Sequence, residues 1–268
     1  MTELLASSDD AWPITALDEG SGPNVLVVHP GGGDVTTWDG VARHLSDDFR
    51  VVRIRRRIYV PEAHIELPHS MTIEAADIVA VAELLEPPVL LVGHSSGAVA
   101  ALEAALLDPS AFAGLFLYEP PMPTKELLAG MAGARARAVF DRGDPAEAMR
   151  IHMRDIVRMP ANLVDAMFAD QQVRAAFSAY AAAQIADNEA IDALGAGVDR
   201  FATLEIPTTL IAGDLSPAHL RERLADLAAV LPDARIVTLP GQGHFAHLNA
   251  PDTLADSIRD MAGQIFHL

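Results

Sequence analysis

Val89-Leu-Leu-Val-Gly-His-Ser-Ser-Gly-Ala-Val-Ala100 is the stretch on which the fold turns. Four consecutive apolar residues read as a strand buried on both faces. Gly93-His94-Ser95-Ser96-Gly97 follows at once, and the small residues Ala98, Ala100 and Ala101 open a helix that can sit close to a sheet. A strand that turns abruptly into a helix forces its apical residue into a strained backbone, with glycines where side chains would strike the flanking elements. Ser95 then projects its hydroxyl at a helix N-terminus, where partial positive charge favours a developing oxyanion. The alternative is a tight Gly-Ser turn without chemistry, and the strand–motif–helix context weighs against it.

Outward from this stretch, similar apolar runs recur between turn residues: Val25–Val28, Val51–Ile54, Leu115–Tyr118, Thr208–Ile211 and Ile236–Leu239. Helical patterns separate several of them, over Ile73–Leu85, over Gly97–Leu107 and after Pro251. Alternating strands and helices predict an α/β doubly wound, mostly parallel sheet. From Pro120 to about Glu205 the strand pattern stops and only helical periodicity remains. That segment reads as an inserted helical lid, with 1–119 and 206–268 forming the core domain and 120–205 the cap. Six of the nine methionines lie in it. They read first as core filling and second as an adaptable apolar wall over a cavity.

Composition narrows the chemistry. The 268 residues contain no cysteine, so disulfides, thiolate metal sites and cysteine nucleophiles drop out. A net charge of −18 disfavours nucleic-acid and anionic-membrane partners. Lys125 is the only lysine and lacks the neighbours of a phosphate loop. The acidic start has no basic region or apolar run of a secretory signal, and no apolar stretch approaches the roughly 20 residues of a spanning helix. A cytoplasmic protein acting on a small molecule is expected, with its oligomeric state left open.

Two further motifs converge on Ser95. His29-Pro-Gly-Gly-Gly33 closes the strand at 25–28 with three glycines whose backbone N–H groups are unobstructed, as an oxyanion-binding loop requires; Ser96 N–H would be the other donor. His29 itself reads as a hydrogen-bonded structural residue. Leu239-Pro-Gly-Gln-Gly-His244 follows the last strand, and a histidine there can reach a serine hydroxyl as general base. His247 reads as the decoy; His64, His69 and His152 show no partner pattern. No histidine spacing suits a metal, so neither a metal nor a cofactor is expected.

These motifs, with Leu117-Tyr-Glu-Pro-Pro121, resemble the α/β-hydrolase superfamily over about residues 20–120 and 205–268, and within it bacterial lidded serine hydrolases of the esterase or haloperoxidase kind. The resemblance implies the α/β-hydrolase fold, Ser95 as nucleophile, His244 as base and an acid after a later strand. Asp214, in Ala212-Gly-Asp-Leu-Ser-Pro217, is the expected acid. Similar enzymes often carry it one or two residues further on, where this chain has Leu215 and Ser216. Glu119, at the end of the strand 115–118, is the substitute. Pro30 stands where such enzymes usually have glycine and removes one N–H, which makes Gly31 the expected oxyanion donor beside Ser96.

Serine rather than aspartate at the turn argues against epoxide hydrolases and haloalkane dehalogenases. The expected reaction is hydrolysis of a carboxylic ester with an apolar part through an acyl-enzyme. Acyl transfer, perhydrolysis and C–C bond hydrolysis on the same residues are alternatives, as are acid–base lyase or isomerase chemistry and a non-catalytic ligand-binding role. Arg53, Arg55, Arg56 and Arg57 read first as partners for surplus carboxylates and second as a clamp for a substrate carboxylate.

Overall fold

A computed structural model describes residues 1–8, 10–60 and 69–268; His64 lies outside the described residues. Eight strands form one sheet: β1 (Thr2–Ser7), β2 (Pro13–Gly20), β3 (Asn24–Val28), β4 (Arg50–Ile54), β5 (Val89–His94), β6 (Gly114–Tyr118), β7 (Thr208–Gly213) and β8 (Ala234–Leu239). Their spatial order is β1-β2-β4-β3-β5-β6-β7-β8. The six strands from β3 to β8 run parallel, and all contain runs expected from the sequence. β1 and β2 join antiparallel at one edge. They were not legible as strands because β1 is largely exposed and β2 carries Asp18 and Glu19 among its apolar residues. An edge strand with a solvated face has no continuous apolar run to betray it.

The helices follow as α1 (Asp39–Leu45), α2 (Met71–Ala82), α3 (Ser96–Leu107), α4 (Gly130–Phe140), α5 (Pro145–Ile151), α6 (Ala161–Ala169), α7 (Gln171–Ala179), α8 (Ala181–Asp192), α9 (Ala218–Ala228), α10 (Ala246–Asn249) and α11 (Pro251–Phe266). α2 begins where Ser70 accepts the Ile73 N–H, two residues before the apolar period becomes visible. Successive side chains of a strand face opposite sides of the sheet, and two cores result. Leu26, Val28 and Leu91 pack with α2, α3 and α9 on one side. Val25, Val27, Leu90 and Val92 pack with α1 and α11 on the other. Burying each such side chain contributes roughly 1.5–3 kcal/mol.

Between β6 and β7 every regular element is helical, α4 to α8. This insertion has its own cluster of Met149, Met153, Val164, Phe168 and Ala181. It joins the main core through Ala190 and Ile191 of α8. Among the described residues no helix is long and apolar enough to cross a membrane.

Register sets the position of the site. Val28 pairs with Gly93, His94 with Tyr118, Tyr118 with Ile211, and Gly213 with Leu239. The turns leaving β3, β5, β6, β7 and β8 therefore open on one edge of the sheet, where ligands of open α/β sheets bind.

Candidate active site

Ser95 sits between β5 and α3 at φ 53°, ψ −125°, a backbone conformation that L residues rarely hold. Its N–H donates to Tyr118 O at 2.9 Å, and its carbonyl accepts the N–H groups of Ala98 and Val99, so strand and helix clamp it from both sides. A Cβ at Gly93 would lie 2.6 Å from Ala98 Cα, and one at Gly97 2.3 Å from His29 O. Both glycines are therefore demanded by the approach of α3 to β3 and β5. Ser95 alone in the run from Leu91 to Ala100 is not fully buried.

His244 lies on the loop after β8. Its Nδ1 is 2.5 Å from Glu119 Oε2, and the Glu119 side chain is completely buried. The other carboxylate oxygen, Oε1, accepts the Gly213 N–H at 2.7 Å. Glu119 is itself held at φ 44°, with its N–H donating to Ile211 O, which turns its side chain across the end of β7. Asp214 does not approach the histidine. Its N–H donates to Leu239 O at 3.2 Å, and the residue is exposed. Glu119 occupies the Gly213 N–H and the His244 ring, and the chain after β7 carries Asp214 outward.

Ser95, His244, Ser96 and the glycines 31–33 line one cavity of about 200 Å³. The helical insertion supplies the facing wall, chiefly Met149, Met153, Ile156, Val157 and Phe177. Met149 and Met153 thus serve both readings of the methionines, core and wall, whereas Met122 belongs to the main core and Met131 is exposed. A Cβ at Gly31 would lie 2.4 Å from Gln184 Oε1, so glycine there also lets α8 come down onto the loop.

A strained serine at a helix N-terminus, an imidazole bound to a buried carboxylate and a glycine loop thus share a cavity at the C-terminal edge of the sheet. Residues 25–257 match the Alpha/beta hydrolase family. The chain belongs to that family. It is 26% identical to a Haemophilus influenzae protein whose name places it among esterases or lipases, over 88% of this chain and 82% of the other. The crystal structure of an α/β-hydrolase from Sphaerobacter thermophilus matches with a TM-score of 0.83 at 27% identity, covering 96% of this chain and 99% of that one. A thermophilic esterase from Thermogutta terrifontis shares the fold, with a TM-score of 0.74 at 23% identity over 99% of both chains. The architecture is the α/β-hydrolase fold, and the protein is a hydrolase.

Several residues of this hydrolase hold the site without a signal in the sequence. His94, fully buried, donates from Nε2 to the His244 carbonyl at 3.0 Å and stacks on Tyr118 with ring centroids 4.4 Å apart. Burial holds its imidazole well below the usual histidine range, so it is a neutral donor. Tyr118 Oη donates to Gly243 O and accepts the Ala246 N–H at 3.2 Å. Together these two side chains pin the backbone on both sides of His244. His29 bonds Pro30 O through Nδ1 and the Arg56 N–H through Nε2, and burial lowers its pKa to about 4. His247 stacks against Trp38, and burial lowers its pKa to about 3.

Arg53 of β4 and the three arginines that follow the strand each lie against a carboxylate. Arg53 meets Glu19 and Asp39, Arg55 lies 3.8 Å from Glu3, and Arg57 meets Asp10 and Asp77. Arg56 is completely buried: it contacts Glu74 at 3.0 Å and Asp187 of α8 at 2.6 Å, and it donates to Ser96 Oγ at 2.8 Å. Tyr59 Oη donates to the same Asp187. None of these arginines lines the cavity. Among the described residues no group of three or more His, Asp or Glu is placed to hold a metal.

Proposed function

We propose that the protein is a serine esterase acting through an acyl-enzyme, with Ser95 as nucleophile, His244 as general base and Glu119, not Asp214, as the orienting acid. The observation that carries the reading is the 2.5 Å contact to a buried carboxylate from Nδ1 of His244, which lines the same cavity as Ser95. A carboxylate on Nδ1 holds the proton there and leaves Nε2 as the acceptor that a serine hydroxyl needs. The esterase names of the Haemophilus and Thermogutta proteins agree with it.

In this mechanism Ser95 Oγ bonds to the ester carbonyl carbon while its proton passes to His244 Nε2. The carbonyl electron pair moves onto oxygen, and the N–H groups of Gly31 and Ser96 bind that oxyanion; Pro30 has no N–H to give. The intermediate collapses, the C–O bond to the alcohol breaks, and the alkoxide takes the proton from His244. Water then repeats the sequence on the acyl-enzyme and frees the acid and Ser95. The helical insertion acts as the cap: its methionines, isoleucine and phenylalanine receive the apolar part of the ester and exclude water.

A fluorophosphonate probe followed by peptide mapping tests the assignment. The expected result is a single adduct on Ser95 that also abolishes ester hydrolysis. Labelling elsewhere with activity intact overturns it.

A further inference from the structure

The polar residues that the helical insertion turns toward the cavity form one connected chain. Gln184 and Asn188 stand one turn apart on α8, and Gln184 Nε2 donates to Asn188 Oδ1 at 3.1 Å. Asn188 Nδ2 in turn donates to Nδ1 of His152 at 3.0 Å. His152 opens a π-helical turn, His152–Ile156, directly after α5; such turns concentrate at functional sites. All three side chains are more than nine-tenths buried, and all three line the cavity of Ser95 and His244.

The direction of the chain assigns the tautomer of His152. Asn188 spends its oxygen on Gln184, so it presents its NH₂ to the imidazole, and Nδ1 must accept. The proton therefore sits on Nε2, which has no hydrogen-bond partner among the described residues. Burial lowers the His152 pKa to about 4, against the opposing pull of the Asp187 carboxylate. The ring is thus an uncharged donor, held in one orientation, on a wall whose other members are mostly apolar. No arginine or lysine lines the cavity. A substrate carboxylate there would be desolvated without a countercharge, at a cost that a single neutral donor does not offset.

We propose that His152 Nε2–H is a specificity-determining donor that receives an uncharged oxygen acceptor on the substrate, an ether, ester or amide oxygen in the acyl or alcohol part beyond the scissile bond. The substrate class is then a neutral ester carrying a second oxygen function rather than a simple alkyl ester. This rests on the serine-esterase reading of the cavity. Gln184 and Asn188 are positioning residues, acting through the imidazole.

Three esters of equal chain length test the proposal: one all-carbon, one with a CH₂ replaced by oxygen in the acyl chain, one with the same change in the alcohol. Taking the ratio of kcat/KM for each oxygen-bearing ester to the all-carbon ester, and comparing that ratio between enzymes, cancels the intrinsic reactivity of the esters. The ratio for at least one of them is expected to fall by about tenfold in His152→Leu, the scale of one lost hydrogen bond. In His152→Gln, which keeps a donor, it is expected to hold within about threefold of wild type. Calorimetric binding of the same esters to Ser95→Ala, with and without His152→Leu, supplies a second readout that needs no turnover and is expected to show the same loss. Ratios equal in wild type and His152→Leu overturn the proposal, and continued hydrolysis in those enzymes leaves the serine-esterase reading standing. Undiminished hydrolysis by Ser95→Ala overturns that reading instead, while the ratios still decide the role of His152.

Discussion

The sheet edge and the helical insertion build opposite halves of one cavity by different means. At the sheet edge residues stand on turns immediately after strands, and the backbone around them is bonded to neighbouring strands: Ser95 N–H to Tyr118 O, Glu119 N–H to Ile211 O, Asp214 N–H to Leu239 O. Two of these residues, Ser95 and Glu119, hold positive φ, and only an over-determined backbone tolerates that strain. The insertion has no sheet to brace it. It relies on a small apolar cluster of its own, on Ala190 and Ile191 packed into the main core, and on the buried contact of Arg56 with Asp187. In the proposed mechanism, placement to a fraction of an ångström, which proton transfer demands, falls to the sheet edge, and the choice of what enters falls to the helices.

The sharpest way to break this comparison is to disturb the sheet edge without moving it. Glu119→Gln is expected to lower kcat by about 10³–10⁴-fold with little change in KM. The amide NH₂ would donate to Nδ1 and drive the imidazole proton onto Nε2, where it blocks the serine. Steady-state kinetics on one ester check this, and a loss below tenfold would remove Glu119 from the orienting role. Next in size, Arg56→Met cuts the buried ionic tie between the halves and leaves Glu74 and Asp187 without that cation. Stability should drop by about 3–5 kcal/mol, read by urea unfolding. A loss under 1 kcal/mol would show that apolar packing alone holds the insertion.

Tyr118→Phe should cost about tenfold in kcat, because the Gly243 carbonyl and the Ala246 N–H lose their partner and the loop bearing His244 loosens. An unchanged kcat would assign the loop's position to His94 alone. Asp214→Asn should do least, less than about twofold in kcat and within about 0.5 kcal/mol of wild-type stability, as for an exposed side chain with no hydrogen-bond partner among the described residues. A loss comparable to that of Glu119→Gln would reverse the assignment of the acid.

What was legible follows the same division. The turn carrying Ser95 could be read because its motif is contiguous, although only the glycine at 93 answers to the helix that follows, while the glycine at 97 answers to Val28 and His29 at the end of β3. The parallel strands β3 to β7 announced themselves as apolar runs because both of their faces are covered, and β8, although mostly exposed, still carries the short run Ile236–Leu239. β1 and β2 did not, since the edge of the sheet has a wet side. Glu119 and Asp214 could both be named but not ranked. Which carboxylate meets His244 depends on the turn after β6 reaching over the end of β7, a relation between segments about 94 residues apart in sequence. His152 and Asn188 gave no signal at all; 36 residues separate them, and packing of the insertion alone joins them.

The amino-acid sequence by itself determined the six parallel strands, the turn carrying Ser95, the glycine loop and the place of His244, because each shows as a short contiguous motif or as an apolar run along the chain. Only the tertiary structure decided which acid faces the histidine, why the arginines after β4 are paired rather than free, and which way the imidazole of His152 carries its proton. Those outcomes are set by distances between side chains on separate elements, and hydrogen bonds and buried charges discriminate over tenths of an ångström that no local pattern encodes.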